Sequence, residues 1–142
     1  MLLTIIKRLI SRLGVMPAIG NDLVFVPDVA SSHHQFGERY LKFIFTDNEI
    51  LDCMHKDGSY SYTSLAARIA AKESVMKLLK PARDQLLPWQ SIEVRRDPTG
   101  AADLILHREA KAMAEKQSII SLSLSLAHEH QYASALVLAT QI

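Results

Sequence analysis

Cysteine occurs once in this chain, as Cys53. A single thiol excludes an internal disulfide and any zinc cluster built from cysteines, and it suits a reducing, cytoplasmic setting. Glycine and proline number five each. They form no glycine-rich phosphate loop of the P-loop or Rossmann type and no G-x-S-x-G nucleophile turn. Net charge is nearly absent, since sixteen basic and fifteen acidic side chains give +1, so the basic footprint of a nucleic-acid binder is missing. Apolar runs stop short of the ~18 residues of a membrane span. What is present is 142 residues, 49% of them hydrophobic, enough for one domain with a real core or one domain with a short appendage.

Residues 1–16 read as that appendage, an amphipathic N-terminal extension ahead of a single domain at 17–142. Leu2, Ile5, Ile6, Leu9, Ile10 and Leu13 recur with a helical period, and Lys7, Arg8 and Arg12 share the other face. A secretory signal would carry its charges before the apolar segment, not inside it. Short basic helices more often dock on their own domain or on a neighbouring subunit than on a membrane surface, and that docking is the expectation here.

Further along, Ile19 to Val26 reads as a strand carrying Asp22, ended by Pro27 and Asp28. Ser31 and Ser32 are candidate caps for a helix bearing Phe36, Tyr40, Phe43 and Ile44. Thr46 to Glu49 has capping-box spacing. Lys56 to Tyr62 is a polar loop with a turn signal. A long helix is predicted from about Ser64 to Lys80, with Pro81 stopping it. Strand patterns then dominate. Trp89–Val94 and Asp103–His107 form a hairpin around the turn Asp97–Gly100. A short helix spans Arg108–Lys116, the alternating Ser/Leu strand runs Ile119–Leu126, a loop covers Ala127–Tyr132, and a last strand covers Ala133–Ala139. Helices in the first half and antiparallel strands in the second make an α+β domain, with helices packed on an antiparallel sheet.

The long helix has an odd residue. At about 100° per residue, Leu65, Ile69, Met76 and Leu79 form one apolar stripe with Lys72 in its middle. Arg68 and Glu73 lie on the stripe's edges, and Lys77 follows Glu73 at i,i+4. Burying an unpaired ammonium is costly. Either Lys72 snorkels to water and Glu73–Lys77 is a surface pair, or an anionic ligand answers the lysine. Asp22 is read either as a turn residue or as the partner of Glu73 on a magnesium ion, which takes one or two carboxylates and fills its other positions from water and phosphates. His128-Glu-His130 is too short a motif to indicate a metal by itself.

Several segments together resemble the holo-acyl-carrier-protein synthase family of 4′-phosphopantetheinyl transferases. Ala18 to Val24 is similar to the family's first motif, an apolar strand ending in G-x-D. Arg39 to Thr46, followed by Glu49, resembles its R-F-L-x-x-x-F-T segment, and Leu65 to Lys77 resembles the motif built on K-E-x-x-x-K. Trp89 to Val94 looks like its W-x-x-I-E-V strand. Ser123 to His128, with Tyr132 to Val137, is similar to the serine- and histidine-bearing third motif. The five occur in order at natural spacings over residues 18 to 140.

The resemblance implies transfer of phosphopantetheine from coenzyme A to a serine of an apo acyl-carrier protein, releasing adenosine 3′,5′-bisphosphate. It implies that Asp22 and Glu73 bind Mg²⁺, that Lys72 and Lys77 lie near the coenzyme phosphates, and that Arg68 and His128 lie near the 3′-phosphoadenosine end. Glu73, Lys77 and His128 are then the catalytic candidates, and the serine's proton acceptor stays open between Glu73, a metal-bound water and other carboxylates. A homotrimer with the coenzyme site between subunits is also implied. Three departures stand out: Asp28 to Gln35 contains no lysine or arginine where the family carries arginines that grip the carrier protein, Ala127 replaces a serine, and Lys80–Arg83 replaces a glycine-rich link. They leave an alternative open, a non-catalytic trimeric scaffold that binds a carrier protein or nucleotide.

Overall fold

The computed structural model describes residues 1–14 and 16–142. The Ile10 side chain, one apolar position of the expected N-terminal stripe, lies outside the described residues. Helix α1 (Leu2–Leu13) leads into strand β1 (Met16–Phe25). Helices α2 (Val26–Phe36), α3 (Glu38–Ile44), α4 (Asp47–Cys53) and α5 (Tyr62–Leu79) follow. A one-turn 3₁₀ helix (Trp89–Ser91) precedes the hairpin β2 (Ile92–Arg96) and β3 (Ala102–Leu106). Helix α6 (Arg108–Lys116) and strands β4 (Ile119–Glu129) and β5 (Tyr132–Gln141) complete the chain. The expected α+β architecture is observed.

β1, β5 and β4 form one antiparallel sheet with β5 in the middle. Its inner face is made of small side chains. Ala133, Ala135, Val137 and Ala139 of β5 are all buried there, and Gly20 of β1 pairs with Val137 beside them. At Gly20 a Cβ would land on the carbonyl oxygen of Ser74 in α5. Glycine is therefore required for the helix to reach the strand. The Ser74 hydroxyl donates to the carbonyls of Ala70 and Ala135, fastening helix to sheet.

α5 is buried nearly all round, not along one stripe. Ala66, Ala67, Ala70, Ala71 and Val75 are as enclosed as Leu65 and Ile69, because β1 and β5, β2, α2 and α4 all pack against the helix. Lys72 is fully buried within it. Its Nζ lies 2.7 Å from Glu49 Oε1 and donates to the carbonyls of Trp89, at 3.0 Å, and Ile92. Glu49 in turn accepts from the Thr46 backbone N–H within the expected capping box and from Val94 N at 3.0 Å. One ion pair thus joins α4, α5 and the start of β2. Burial pushes the Lys72 pKa below the usual lysine value, with the Glu49 and Glu93 charges opposing.

Three expected boundaries move. Ser31 and Ser32 cap nothing, because Pro27, with its fixed φ, starts α2 immediately after β1. The single expected helix breaks in two at Gly37, whose φ is 66°. The expected loop Ala127–Tyr132 shrinks to a turn at His130 and Gln131, so His128 sits on β4. The expected docking of α1 on its own domain is not observed either, since its described apolar side chains are exposed. Among the described residues no helix is long and apolar enough to cross a membrane.

Removing Lys72 strands a buried carboxylate. Lys72→Met is expected to lower unfolding free energy by about 3–5 kcal/mol, the cost of breaking a buried pair from one side. Lys72→Met with Glu49→Gln should recover a substantial part of that loss. Urea denaturation of both variants checks this, and an unchanged midpoint for Lys72→Met would contradict the pairing.

Candidate active site

Two alternations converge at the Gly20 contact. Along β1, side chains alternate faces, so Asp22 shares the inward face with Gly20. Along α5, Glu73 adjoins Ser74, the residue that touches Gly20, and Lys77 lies one turn on from Glu73. Lys77 Nζ donates to Asp22 Oδ1 at 2.7 Å and to the Asn21 carbonyl at 3.1 Å. The Asp22 side chain is only 11% exposed, whereas Lys77 is 58% exposed. The second carboxylate oxygen, Asp22 Oδ2, is buried, and among the described residues no N–H or hydroxyl group donates to it.

Burial works to raise the Asp22 pKa, but hydrogen bonds with Glu73 and Lys77 outweigh it and hold the group below the usual aspartate range. Glu73 shows the opposite shift. Its hydrogen bond to Asp22, followed by burial and the Asp22 charge, pushes it up to about 7, with Lys77 opposing. Two carboxylates this close cannot both ionise without help, so one keeps a proton. A divalent cation would replace that proton and satisfy Asp22 Oδ2. Among the described residues no third His, Cys, Asp or Glu joins the pair to make a protein-only metal cage. Two carboxylates with room for water and phosphate suit magnesium better than zinc or calcium.

A second set of expected residues meets in a groove of about 590 Å³ between the start of α5, the β2–β3 hairpin and β4. Arg68 and His128 both line it, as does Arg96, which no sequence motif marks. Hydroxyls from Ser61, Thr63 and Ser64 share the wall. Arg68 is 3% exposed. One Nη donates to Ser64 O at 3.3 Å, and the other lies 3.5 Å from Asp52 Oδ2. Its Nε and Nη2 are buried without a hydrogen-bond acceptor. Asp52 answers part of the Arg68 charge, yet donors left without a hydrogen bond, in a groove shared with a second arginine and a histidine, describe a place for an anion.

Lys72 does not join either group. The expectation that it meets a coenzyme phosphate gives way to an internal partner, Glu49. Nothing local in the sequence pairs these two residues, which lie on different helices, so only the fold reveals the contact.

Comparison with known proteins places the chain in a family. The model of the 4′-phosphopantetheinyl transferase superfamily matches residues 18–137. The chain belongs to this superfamily. Within it, the similarity is to the holo-[acyl-carrier-protein] synthases. The synthase of Chlamydia trachomatis serovar L2 is 36% identical over 124 residues, spanning 87% of this chain and 99% of that protein. The synthase of Koribacter versatilis is also 36% identical, over 84% of this chain and 94% of its own length. Among solved structures, a Chronobacterium ammoniagenes synthase in complex with coenzyme A superposes with a TM-score of 0.75 and 30% identity, covering 87% of this chain and 96% of that one.

The raised Glu73 pKa has a readable consequence. Since the folded value lies above the ordinary 4.5, the folded state holds this proton longer than the unfolded chain. The group's contribution to stability therefore falls as pH rises from about 4.5 through about 7. In metal-free protein, carbon-13 NMR of the Glu73 carboxyl is expected to show a midpoint of about 7. Asp22→Asn should move it back toward the ordinary glutamate range. A parent midpoint already in that range would contradict the paired geometry.

Proposed function

We propose that this protein transfers the 4′-phosphopantetheine group of coenzyme A to a serine hydroxyl of an apo acyl-carrier protein, releasing adenosine 3′,5′-bisphosphate. The observation that carries the proposal is the Asp22–Glu73–Lys77 group, two carboxylates and a cation held within one turn of α5 and two residues of Gly20. In transfer of this kind, the serine oxygen forms a bond to the phosphorus bearing pantetheine as the pyrophosphate bond breaks. Such a reaction needs positioning and neutralisation of phosphate charge more than covalent chemistry. Asp22 and Glu73 would hold Mg²⁺, which supplies Lewis-acid neutralisation of the phosphate oxygens. Lys77, exposed beside them, meets charge developing on the leaving phosphate. Arg68 and His128, with Arg96, receive the 3′-phosphate end of the coenzyme in their groove. Lys72 acts from inside, fixing the helix that presents Glu73 and Lys77.

The outer face of the three-stranded sheet favours assembly. Ile19, Leu23, Leu136 and Leu138 are 44–65% exposed on it, a contiguous apolar surface of the kind that marks an interface. A homotrimer built on this face, with the coenzyme groove completed by a neighbour, accounts for that exposure. Carrier recognition shifts from α2, which lacks lysine and arginine, to α3, where Arg39 and Lys42 are exposed. Cations there steer an acidic carrier helix into place.

The deciding experiment incubates the protein with Mg²⁺, coenzyme A and a panel of apo carrier proteins, and reads the mass gain of phosphopantetheine. Transfer is expected on at least one carrier, and Glu73→Gln should reduce it by about 10²–10³-fold, the usual cost of losing one charge-stabilising group. No mass gain on any carrier, with coenzyme still bound, would favour the non-catalytic scaffold that the lack of lysine and arginine on α2 suggests. Separately, Arg39→Glu with Lys42→Glu is expected to raise KM for the carrier and leave KM for coenzyme A unchanged. Unchanged carrier kinetics would place recognition elsewhere.

A further inference from the structure

Helix α1 has no place in the site just described. The family match begins at residue 18, and a relative covered to 99% of its length aligns over only 124 residues of this chain. The helix is therefore additional to the transferase domain. Its apolar side chains are uncovered: Leu2, Leu3, Ile5, Ile6, Leu9 and Leu13 are 42–73% exposed, and none belongs to a core cluster. They spread over an arc of about 160° at 100° per residue, a full amphipathic face. Lys7, Arg8 and Arg12 occupy the opposite arc with Thr4 and Ser11. No acidic residue precedes Asp22.

The charge distribution identifies the occupant. The whole chain carries sixteen basic and fifteen acidic side chains. With three of the basic ones gathered on α1, the remainder of the chain has an excess of acid. A second copy of this chain would offer its apolar outer sheet face, whose outward positions hold a single acid, Glu129. That is a poor match for three cations. An anionic phospholipid surface provides both halves at once: acyl chains for the aliphatic arc and headgroup phosphates for the cations. A helix of twelve residues lies in such a surface and does not cross it.

We propose that α1 is a peripheral membrane anchor that lays its Leu/Ile face into an anionic lipid surface and leaves the transferase domain in the aqueous phase. This proposal does not rest on the transfer reaction. The test is flotation of the full chain with vesicles of phosphatidylcholine, alone or mixed with phosphatidylglycerol. The parent is expected to float with the mixed vesicles, to stay behind with phosphatidylcholine alone, and to be released by high salt. Leu9→Asp should abolish flotation. Lys7→Glu with Arg8→Glu and Arg12→Glu should weaken it by at least about tenfold, given roughly 1 kcal/mol for each basic residue near such a surface. Both variants should keep the parent's coenzyme A affinity and oligomeric state. A parent that ignores anionic vesicles would overturn the proposal, as would a Leu9→Asp variant that floats like the parent. If the parent stays unbound and Leu9→Asp changes its oligomeric state, the helix is a subunit contact and the proposal fails.

Discussion

The carbonyl oxygen of Ser74 occupies the space where a side chain on residue 20 would stand. This single close approach of a helix to a strand sets the geometry of everything near it. It works because the neighbouring strand also presents small residues, Ala133, Ala135 and Ala139, so that α5 can settle onto the sheet along its length. With helix and strand locked there, the two-residue period of β1 and the helical period of α5 leave no freedom. Asp22 must face Glu73, and Lys77 must lie within reach of Asp22 and the Asn21 carbonyl. The candidate site is a consequence of backbone packing before it is a property of side chains.

Lys72 and Glu73 are adjacent in sequence and about 100° apart around the helix. One turns inward to Glu49 and the other toward β1. The helix sends two neighbouring charges into different surroundings within a single peptide step. The inward charge is tolerated because Glu49 is already held by a capping box and by Val94, so both carboxylate oxygens and all three ammonium protons have partners. The charges on the β1 side are paired less completely. Glu73 keeps a proton against Asp22 that it would ordinarily release, and among the described residues no N–H or hydroxyl donates to Asp22 Oδ2. One pair is closed within the core; the other depends on a proton.

Much of this was legible in the chain. The capping box at Thr46–Glu49, the β2–β3 hairpin and the alternating serines and leucines of β4 follow from local rules and are observed. The i,i+4 spacing likewise sets Glu73 beside Lys77, while the nearness of Asp22 to them, also observed, follows only from motif resemblance, since its separation from α5 in sequence carries no distance information. Less was visible where two local signals competed. Pro27 was read as a strand terminator, yet it is equally a helix initiator, and the second role displaced Ser31 and Ser32 as caps. The break at Gly37 was hidden because the apolar period continues through it. Lys72 stands out in the sequence as anomalous, but its partner does not, because a buried carboxylate on another helix has no sequence signature. Arg96 carries no sequence signal for a related reason: it gains meaning only when the hairpin brings it into the groove that Arg68 and His128 line.

In the proposed function, Asp22 and Glu73 form a site completed by a divalent cation and a phosphate ligand together. Calorimetric titration of coenzyme A into the protein, with Mg²⁺ and then with a chelator, tests this most directly when repeated on Glu73→Gln. The parent should bind coenzyme A markedly more tightly with Mg²⁺ than without, and the variant should lose that difference while retaining the metal-independent part contributed by the Arg68–His128 groove. Equal affinity in the parent with and without Mg²⁺, or a metal effect that survives in Glu73→Gln, would contradict it.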